Sequence, residues 1–207
     1  MRRIILLLVA MATTLVVASG AAWAVTKSGN DGPERLTGTN GADTLLGKGG
    51  SDQLISKAGK DHLLGGQGRD FIFGGTTDYF SMRGGEKNML GQAGNDTILG
   101  GLGSDNISGG PGNDLLQDGV DGSDQAEDEY TGGAGSDVIV VKSLLTPRPA
   151  PAIKDRVVCG NGYDVVLADR EDVIRANCEK VFRVVRGPVP YEEFYASIPP
   201  GFFEGLP

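Results

Sequence analysis

Histidine is nearly absent from this sequence, because His62 is the only one among the 207 residues. It lies where a strand is expected inside a repeat, and a surface role is far more common there than catalysis. A histidine-ligated zinc site and a Ser-His-Asp triad therefore lack the residues that they need. We predict no catalytic residues.

Basic residues are also scarce. Without Arg2 and Arg3, which lie in a segment that we expect to be removed, 17 basic residues remain against 27 acidic ones. The long-range field of such a chain repels nucleic acid and anionic membranes, so neither is expected as a partner. A cation is the partner that this charge favours.

The first 24 residues have the pattern of a secretory signal peptide. Arg2 and Arg3 precede an apolar run from Ile4 to Val17, and Ala22-Trp23-Ala24 has the small-residue form of a cleavage site. We therefore predict an exported chain that is cleaved after Ala24 and has no other membrane segment. An uncleaved anchor is the alternative, because Ile4 to Ala24 is long enough to span a bilayer.

Cysteine is limited to one pair, Cys159 and Cys178. An even number of cysteines in an exported chain favours a disulfide. We predict that these two residues are bonded.

Glycine is abundant, with 34 residues, and it repeats together with aspartate. Complete units such as Gly65 to Phe73 and Gly100 to Ser108 contain an aspartate at the sixth position and a large aliphatic residue two positions later. The aspartates of this pattern fall nine residues apart within two blocks, before and after an interrupted stretch, and one more follows. They are Asp43, Asp52, Asp61 and Asp70, then Asp96, Asp105 and Asp114, and finally Asp137.

This spacing predicts an all-β fold, a parallel β-roll. In each unit the glycine–aspartate residues make a tight turn, and three residues make a short strand with its middle side chain facing inward. Two units, 18 residues, close one coil, so units two apart stack at about 4.8 Å. Carboxylates at that separation repel each other unless a hard cation such as calcium lies between them, with turn carbonyls completing an oxygen shell.

The stacking predicts which aspartates come together. The best pairs are Asp43 with Asp61, Asp52 with Asp70, and Asp96 with Asp114. Asp105 has no obvious mate, although Asp121 and Asp124 are candidates. Asp137 completes the predicted ligand set.

These units resemble the haemolysin-type calcium-binding repeats called RTX, over about residues 36 to 141. The resemblance implies a right-handed β-roll that binds several calcium ions through the repeat aspartates and turn carbonyls. The middle departs from the pattern, since Tyr79 and Lys87 stand where aspartates are expected. Calcium sites that would join Asp61 and Asp70 to these units are therefore in doubt. We hypothesise that the Lys87 ammonium lies where an ion would, paired with Asp70 or Asp105.

Two further segments depart from the regular repeat. The stretch from Asp114 to Glu129 has seven acids and is interpreted as a solvated bulge, with an extra calcium site as the alternative. The segment from Asp155 resembles the closing part of secreted actinobacterial RTX-like proteins, and Asp164 there is a second-rank ligand candidate. The predicted organisation is a signal peptide at 1–24, a linker at 25–35, the calcium-binding roll at 36–141, a Pro-rich connector at 142–154, a degenerate repeat with a disulfide cap at 155–186, and a Pro/aromatic tail at 187–207.

The sequence therefore predicts a secreted, non-enzymatic calcium-binding protein. Short strands with one well-buried aliphatic each compensate poorly for ordering about 100 residues, so we expect folding to depend on calcium. A structural or surface-interaction role, with an unidentified partner on the cell surface or wall, competes with that of a soluble calcium binder. The alternative is an accessory remnant or module of a secreted carbohydrate-active or hydrolytic enzyme.

Overall fold

The chain forms a parallel β-roll, in which successive strands alternate between two sheets. The structure is a computed structural model, and it describes residues 23–75, 85–118, 126–141, 153–175, 177–184 and 191–205. The first sheet contains β1 (Thr26–Ser28), β3 (Thr44–Gly49), β5 (His62–Gln67), β7 (Asn88–Ala93), β9 (Asn106–Pro111), β11 (Glu129–Ala134), β13 (Arg156–Asn161) and β15 (Val173–Ile174). The second contains β2 (Arg35–Thr37), β4 (Gln53–Ile55), β6 (Phe71–Phe73), β8 (Thr97–Leu99), β10 (Leu115–Gln117), β12 (Val138–Val140), β14 (Val165–Asp169) and β16 (Lys180–Val184).

The predicted parallel β-roll is confirmed, and its core is one aliphatic column from each sheet. The middle residue of each repeat strand points inward, because side chains alternate along a strand. These residues are completely buried: Leu45, Leu54, Leu63, Ile72, Met89, Ile98, Ile107, Leu116, Ile139, Val157 and Val166. Tyr130 takes the same position in β11 and is also fully buried.

The irregular spacings of the sequence are absorbed in the turns. Leu63 of β5 pairs in register with Met89 of β7, 26 residues later. Ile107 pairs with Tyr130, and Tyr130 with Val157, across longer insertions. The strand register therefore continues past the interruption at residues 76–84, whose own structure is not described.

Glycine is required in the turns for steric reasons. Gly110 has φ +113°, and a Cβ there would lie 2.1 Å from the carbonyl oxygen of Gln92 in the turn below. The stacked turns are thus too close for a side chain at this position.

The C-terminal segment continues the roll and covers one of its faces. The helix α1 (Tyr191–Ser197) and the 3-10 helix Phe202–Gly205 follow β16. Phe194, Ile198 and Phe202 are buried in a second apolar cluster on the outer face of the second sheet, against Val138, Val140, Val165 and Leu167. Aromatic residues of the predicted tail therefore pack over the roll.

The predicted disulfide is present and joins Cys159 in β13 to Cys178, with 5.3 Å between the Cα atoms. It closes a loop with a sequence separation of 19 residues. Replacing both cysteines with alanine is expected to lower the free energy of unfolding by about 3 kcal/mol in the presence of calcium. Urea unfolding of the oxidised wild type and the double variant measures this; equal midpoints would contradict it.

No helix in the described part of the chain is long and apolar enough to cross a membrane. The predicted signal peptide lies almost wholly outside the described residues.

Candidate metal centre

Most turns of the roll end on a residue whose backbone N–H donates to the side chain one coil further on; Asp61 is an exception, because the next residue in its series is Lys87, whose side chain has no acceptor. Two such series run along opposite edges of the roll. Ladder I consists of Glu34, Asp52, Asp70, Asp96, Asp114, Asp137, Asp164 and Glu179. Ladder II consists of Asp43, Asp61, Lys87, Asp105, Asp128, Asp155 and Asp172.

The structure brings all three predicted aspartate pairs together as neighbours. The N–H of Asp43 donates to Asp61 Oδ1 at 2.9 Å, and that of Asp52 donates to Asp70 Oδ1 at 2.8 Å. Asp96 and Asp114 are joined in the same way at 2.9 Å.

The ladders are longer than the predicted pairs. Asp70 and Asp96 are also adjacent, with 2.8 Å from N–H to carboxylate, so ladder I passes the irregular middle of the chain without a break. Asp137 lies between Asp114 and Asp164 in the same ladder. Asp105 is followed by Asp128 in ladder II, whereas the predicted candidates Asp121 and Asp124 lie outside the described residues.

From Glu34 to Asp137, the second carboxylate oxygen of each ladder I residue faces a small space beside a glycine, whereas Cys159 stands at the corresponding position before Asp164. A Cβ built on Gly47 would lie 2.4 Å from Asp52 Oδ2 and 2.2 Å from the carbonyl oxygen of Gly65 in the next coil. At Gly91 the corresponding atoms are Asp96 Oδ2 at 2.3 Å and Gly109 O at 2.7 Å. We call this space, lined by a carboxylate oxygen and a carbonyl oxygen from the next coil, a cradle. Ladder I has cradles at Gly29, Gly47, Gly65, Gly91, Gly109 and Gly132.

The second carboxylate oxygens of the ladder I aspartates lack hydrogen-bond partners. Among the described groups, no donor reaches the buried Oδ2 atoms of Asp52, Asp70, Asp96, Asp114, Asp137 and Asp164. A buried anionic oxygen without a partner costs considerable free energy. A cation in the cradle removes that cost, so the donor set fits a cation with oxygen ligands.

Burial raises the pKa of the central ladder I carboxyls. The pKa is about 6 for Asp70, about 7 for Asp96 and Asp137, and about 8 for Asp114. In each case burial is the largest cause, and a neighbouring ladder carboxylate adds to it. Without a cation, these groups resist ionisation near neutral pH.

The chemistry of the donors favours calcium. Calcium takes six to eight oxygen ligands, including backbone carbonyls, at flexible geometry. Within the described ranges, no three His, Cys, Asp or Glu side chains converge as a metal cluster. Turn carbonyls would therefore supply many of the ligands.

Several ladder residues were not among the predicted ligands, although the sequence has a signal for them. Glu34, Asp128, Asp155, Asp172 and Glu179 each precede a strand and are followed two positions later by an apolar core-type residue. This acid–x–apolar triplet is the same as in the regular repeats, without the glycines. Asp128 and Asp118 are only 4% and 7% exposed, so interpreting their stretch as solvated is wrong for these two residues.

Lys87 occupies a ladder II position between Asp61 and Asp105. Its backbone N–H donates to Asp105 Oδ1 at 3.0 Å. Asp70 belongs to the other ladder, so the hypothesis that pairs Lys87 with Asp70 is wrong. His62 lies partly exposed beside Thr44 and Asn88 on the outer face of the first sheet, away from the ladders.

Comparison with known families agrees with this geometry. Residues 28–63, 46–78 and 88–116 match the model of the RTX calcium-binding nonapeptide repeat (4 copies). No curated protein and no solved structure matches the chain. Residues 28–78 and 88–116 therefore match RTX repeats, a type of repeat that binds several calcium ions.

Proposed function

We propose that this RTX-type calcium-binding repeat protein is exported and folds around calcium, to act as a structural or surface-interaction module. The predicted signal peptide at residues 1–24 supports export. The small apolar core and the buried carboxylates support calcium-dependent folding. No catalytic function is proposed, because a single histidine cannot form a histidine-ligated zinc site or a supported triad, and calcium coordination accounts for the paired carboxylates.

The calcium ligands in this proposal are the repeat aspartates of both ladders. They are Asp43, Asp52, Asp70, Asp96, Asp114, Asp105 and Asp137. Asp61, the remaining predicted ligand, lies in the turn where Ser56 stands in place of the cradle glycine. The observation that carries the proposal is the cradle: a buried carboxylate oxygen without a hydrogen-bond partner lies beside a carbonyl oxygen of the next coil, at a glycine where no side chain fits.

The assignment is tested by changing one ligand without changing its shape. Asp114 is completely buried, and its Oδ2 faces the Gly109 cradle. Asp114→Asn keeps the oxygen that accepts the Asp96 N–H but removes the negative charge. Isothermal titration of the full mature chain with calcium is expected to show about one ion fewer than the wild type.

Asp31→Asn is the matched control, because Asp31 is an exposed acid outside both ladders. It changes the net charge equally and is expected to leave the number of bound ions unchanged. The same loss of calcium in both variants would show that overall charge, and not the Gly109 cradle, determines binding.

The surface-interaction role has its own test. Whole cells are washed in calcium and then in a chelator, and the released protein is measured. Retention in calcium followed by release supports the surface role. Free protein in both washes contradicts it and favours the soluble calcium binder.

A further inference from the structure

Two neighbouring positions in ladder II differ from every cradle of ladder I. In the β4–β5 turn, Ser56 stands where the equivalent turns have the cradle glycine, such as Gly38 and Gly74. In the next coil, Lys87 stands in the place of the ladder aspartate. Both residues are buried, with exposures of 0% and 3%.

The Ser56 side chain fills its own cradle. Its hydroxyl donates to the carbonyl oxygen of Gly74 at 2.7 Å, and Gly74 lies one coil further along the roll. The partner carboxyl in this turn is Asp61. Burial raises the pKa of Asp61, while the Asp43 amide, the Ser56 hydroxyl and the Lys87 charge oppose that rise. The Ser56 hydroxyl therefore lies between the Asp61 carboxyl and the Gly74 carbonyl. The equivalent position in ladder I is a glycine without a side chain.

The Lys87 side chain fills the following cradle. A Cβ on Gly74 would lie 2.8 Å from Lys87 Cδ. The lysine stem therefore takes the position beside Gly74 that Asp52 Oδ2 takes beside Gly47 in ladder I. The ammonium group then donates to two turn carbonyls, Gly85 O at 3.1 Å and Leu102 O at 3.0 Å. Gly85 and Leu102 belong to successive coils, as do the two oxygens of each cradle.

We propose that Ser56 and Lys87 replace two calcium ions in ladder II with a hydroxyl and an ammonium group, so that two consecutive cradles take no metal. This inference rests on the proposed function, because it presumes that the other cradles bind calcium. The hydroxyl meets the cradle carbonyl of Gly74, and the ammonium supplies positive charge to turn carbonyls of two successive coils, so neither set of oxygens needs an ion. Calcium then binds along the whole of ladder I, whereas in ladder II it binds only before and after the positions of Ser56 and Lys87.

The inference is tested by restoring the repeat chemistry at each position in the full mature chain. Ser56→Gly empties its cradle, and Lys87→Asp replaces the ammonium with a carboxylate. Calcium titration is expected to show about one additional ion for each variant and about two for the double variant. Circular dichroism in calcium checks that each variant keeps the β-roll.

Two control variants separate charge and shape from metal binding. Ser56→Ala keeps the cradle filled, and Lys87→Met removes the ammonium without adding a carboxylate, so neither is expected to gain an ion. Calcium binding by the wild type with no gain in Ser56→Gly and Lys87→Asp overturns this inference alone. No calcium binding by the wild type overturns the proposed function itself. Ser56→Gly removes only one small side chain, so it decides the question if Lys87→Asp does not fold.

Discussion

Removing calcium at pH 7.5 is expected to unfold the roll. A cradle with a dissociation constant of about 0.1 mM adds about 1.4 kcal/mol at about 1 mM free calcium. The five ladder I cradles that aspartates line, at Gly47, Gly65, Gly91, Gly109 and Gly132, together supply about 7 kcal/mol on this basis, which is the size of a whole domain's stability. Far-UV circular dichroism with a chelator should lose the β signal and recover it when calcium is returned in excess.

Two controls make this result specific to the cradles. Magnesium at the same concentration is expected to restore little structure, because it demands near-octahedral geometry and gives up its water reluctantly. The Cys159–Cys178 disulfide stays oxidised throughout, so any unfolding is not due to reduction. A spectrum and a melting temperature that are the same with and without chelator would refute calcium-dependent folding.

The dependence follows from how little each strand buries. The middle position of a repeat strand, such as Leu54 in β4, is completely buried, while its neighbours Gln53 and Ile55 lie at the surface or only partly inside. One buried aliphatic side chain contributes about 1.5–3 kcal/mol, whereas ordering three or more backbone residues costs at least as much. The ladder carboxylates add a further cost until a cation neutralises them.

The regular part of this architecture is predictable from the sequence, because each structural role has one residue type at one spacing. Glycine makes room for the cradle, aspartate lines it, and the aliphatic two positions later fills the core, so the pair Asp96 and Asp114 follows from counting. Glu34 shows the limit of counting: it has the acid–x–aliphatic triplet but a longer side chain and no complete glycine motif around it.

The irregular features depend on contacts that spacing does not specify. The insertion of uneven length between Asp105 and Asp128 hides the fact that they are neighbours, because turns of different length can join strands in the same register. The ammonium of Lys87 contacts carbonyls of Gly85 and Leu102, which depends on how a flexible stem passes through the turn. The packing of Phe194 against the outer face of the second sheet could not be predicted, because the repeat spacing does not show which outer face is apolar.

Protons and calcium compete for the ladder carboxyls, because either one neutralises their charge. As pH rises, we therefore expect stabilisation by protons to fall and the affinity for calcium to rise. The folded pKa values of Asp70, Asp96, Asp114 and Asp137, about 6 to 8, lie above the ordinary value of 3.8. A raised folded pKa means that the calcium-free folded state binds protons more tightly than the unfolded state. Its stabilisation is fully present below about pH 4 and is lost as pH rises through 6 to 8. In chelator, the roll should therefore show a cooperative melting transition at pH 5 that is lost at pH 8.

Calcium must displace these protons, so its affinity is expected to rise over the same range. At pH 5, where protons stabilise the calcium-free roll, the four carboxyls with pKa values of about 6 to 8 should together release about four protons as the folded roll binds calcium. Titration in buffers of different ionisation enthalpy measures this number. Asp114→Asn should release about one proton fewer, because it removes the group with the pKa of about 8. Calcium binding without proton release at pH 5 would mean that the ladder carboxyls of the folded roll are already ionised, and that burial does not make them dependent on the metal.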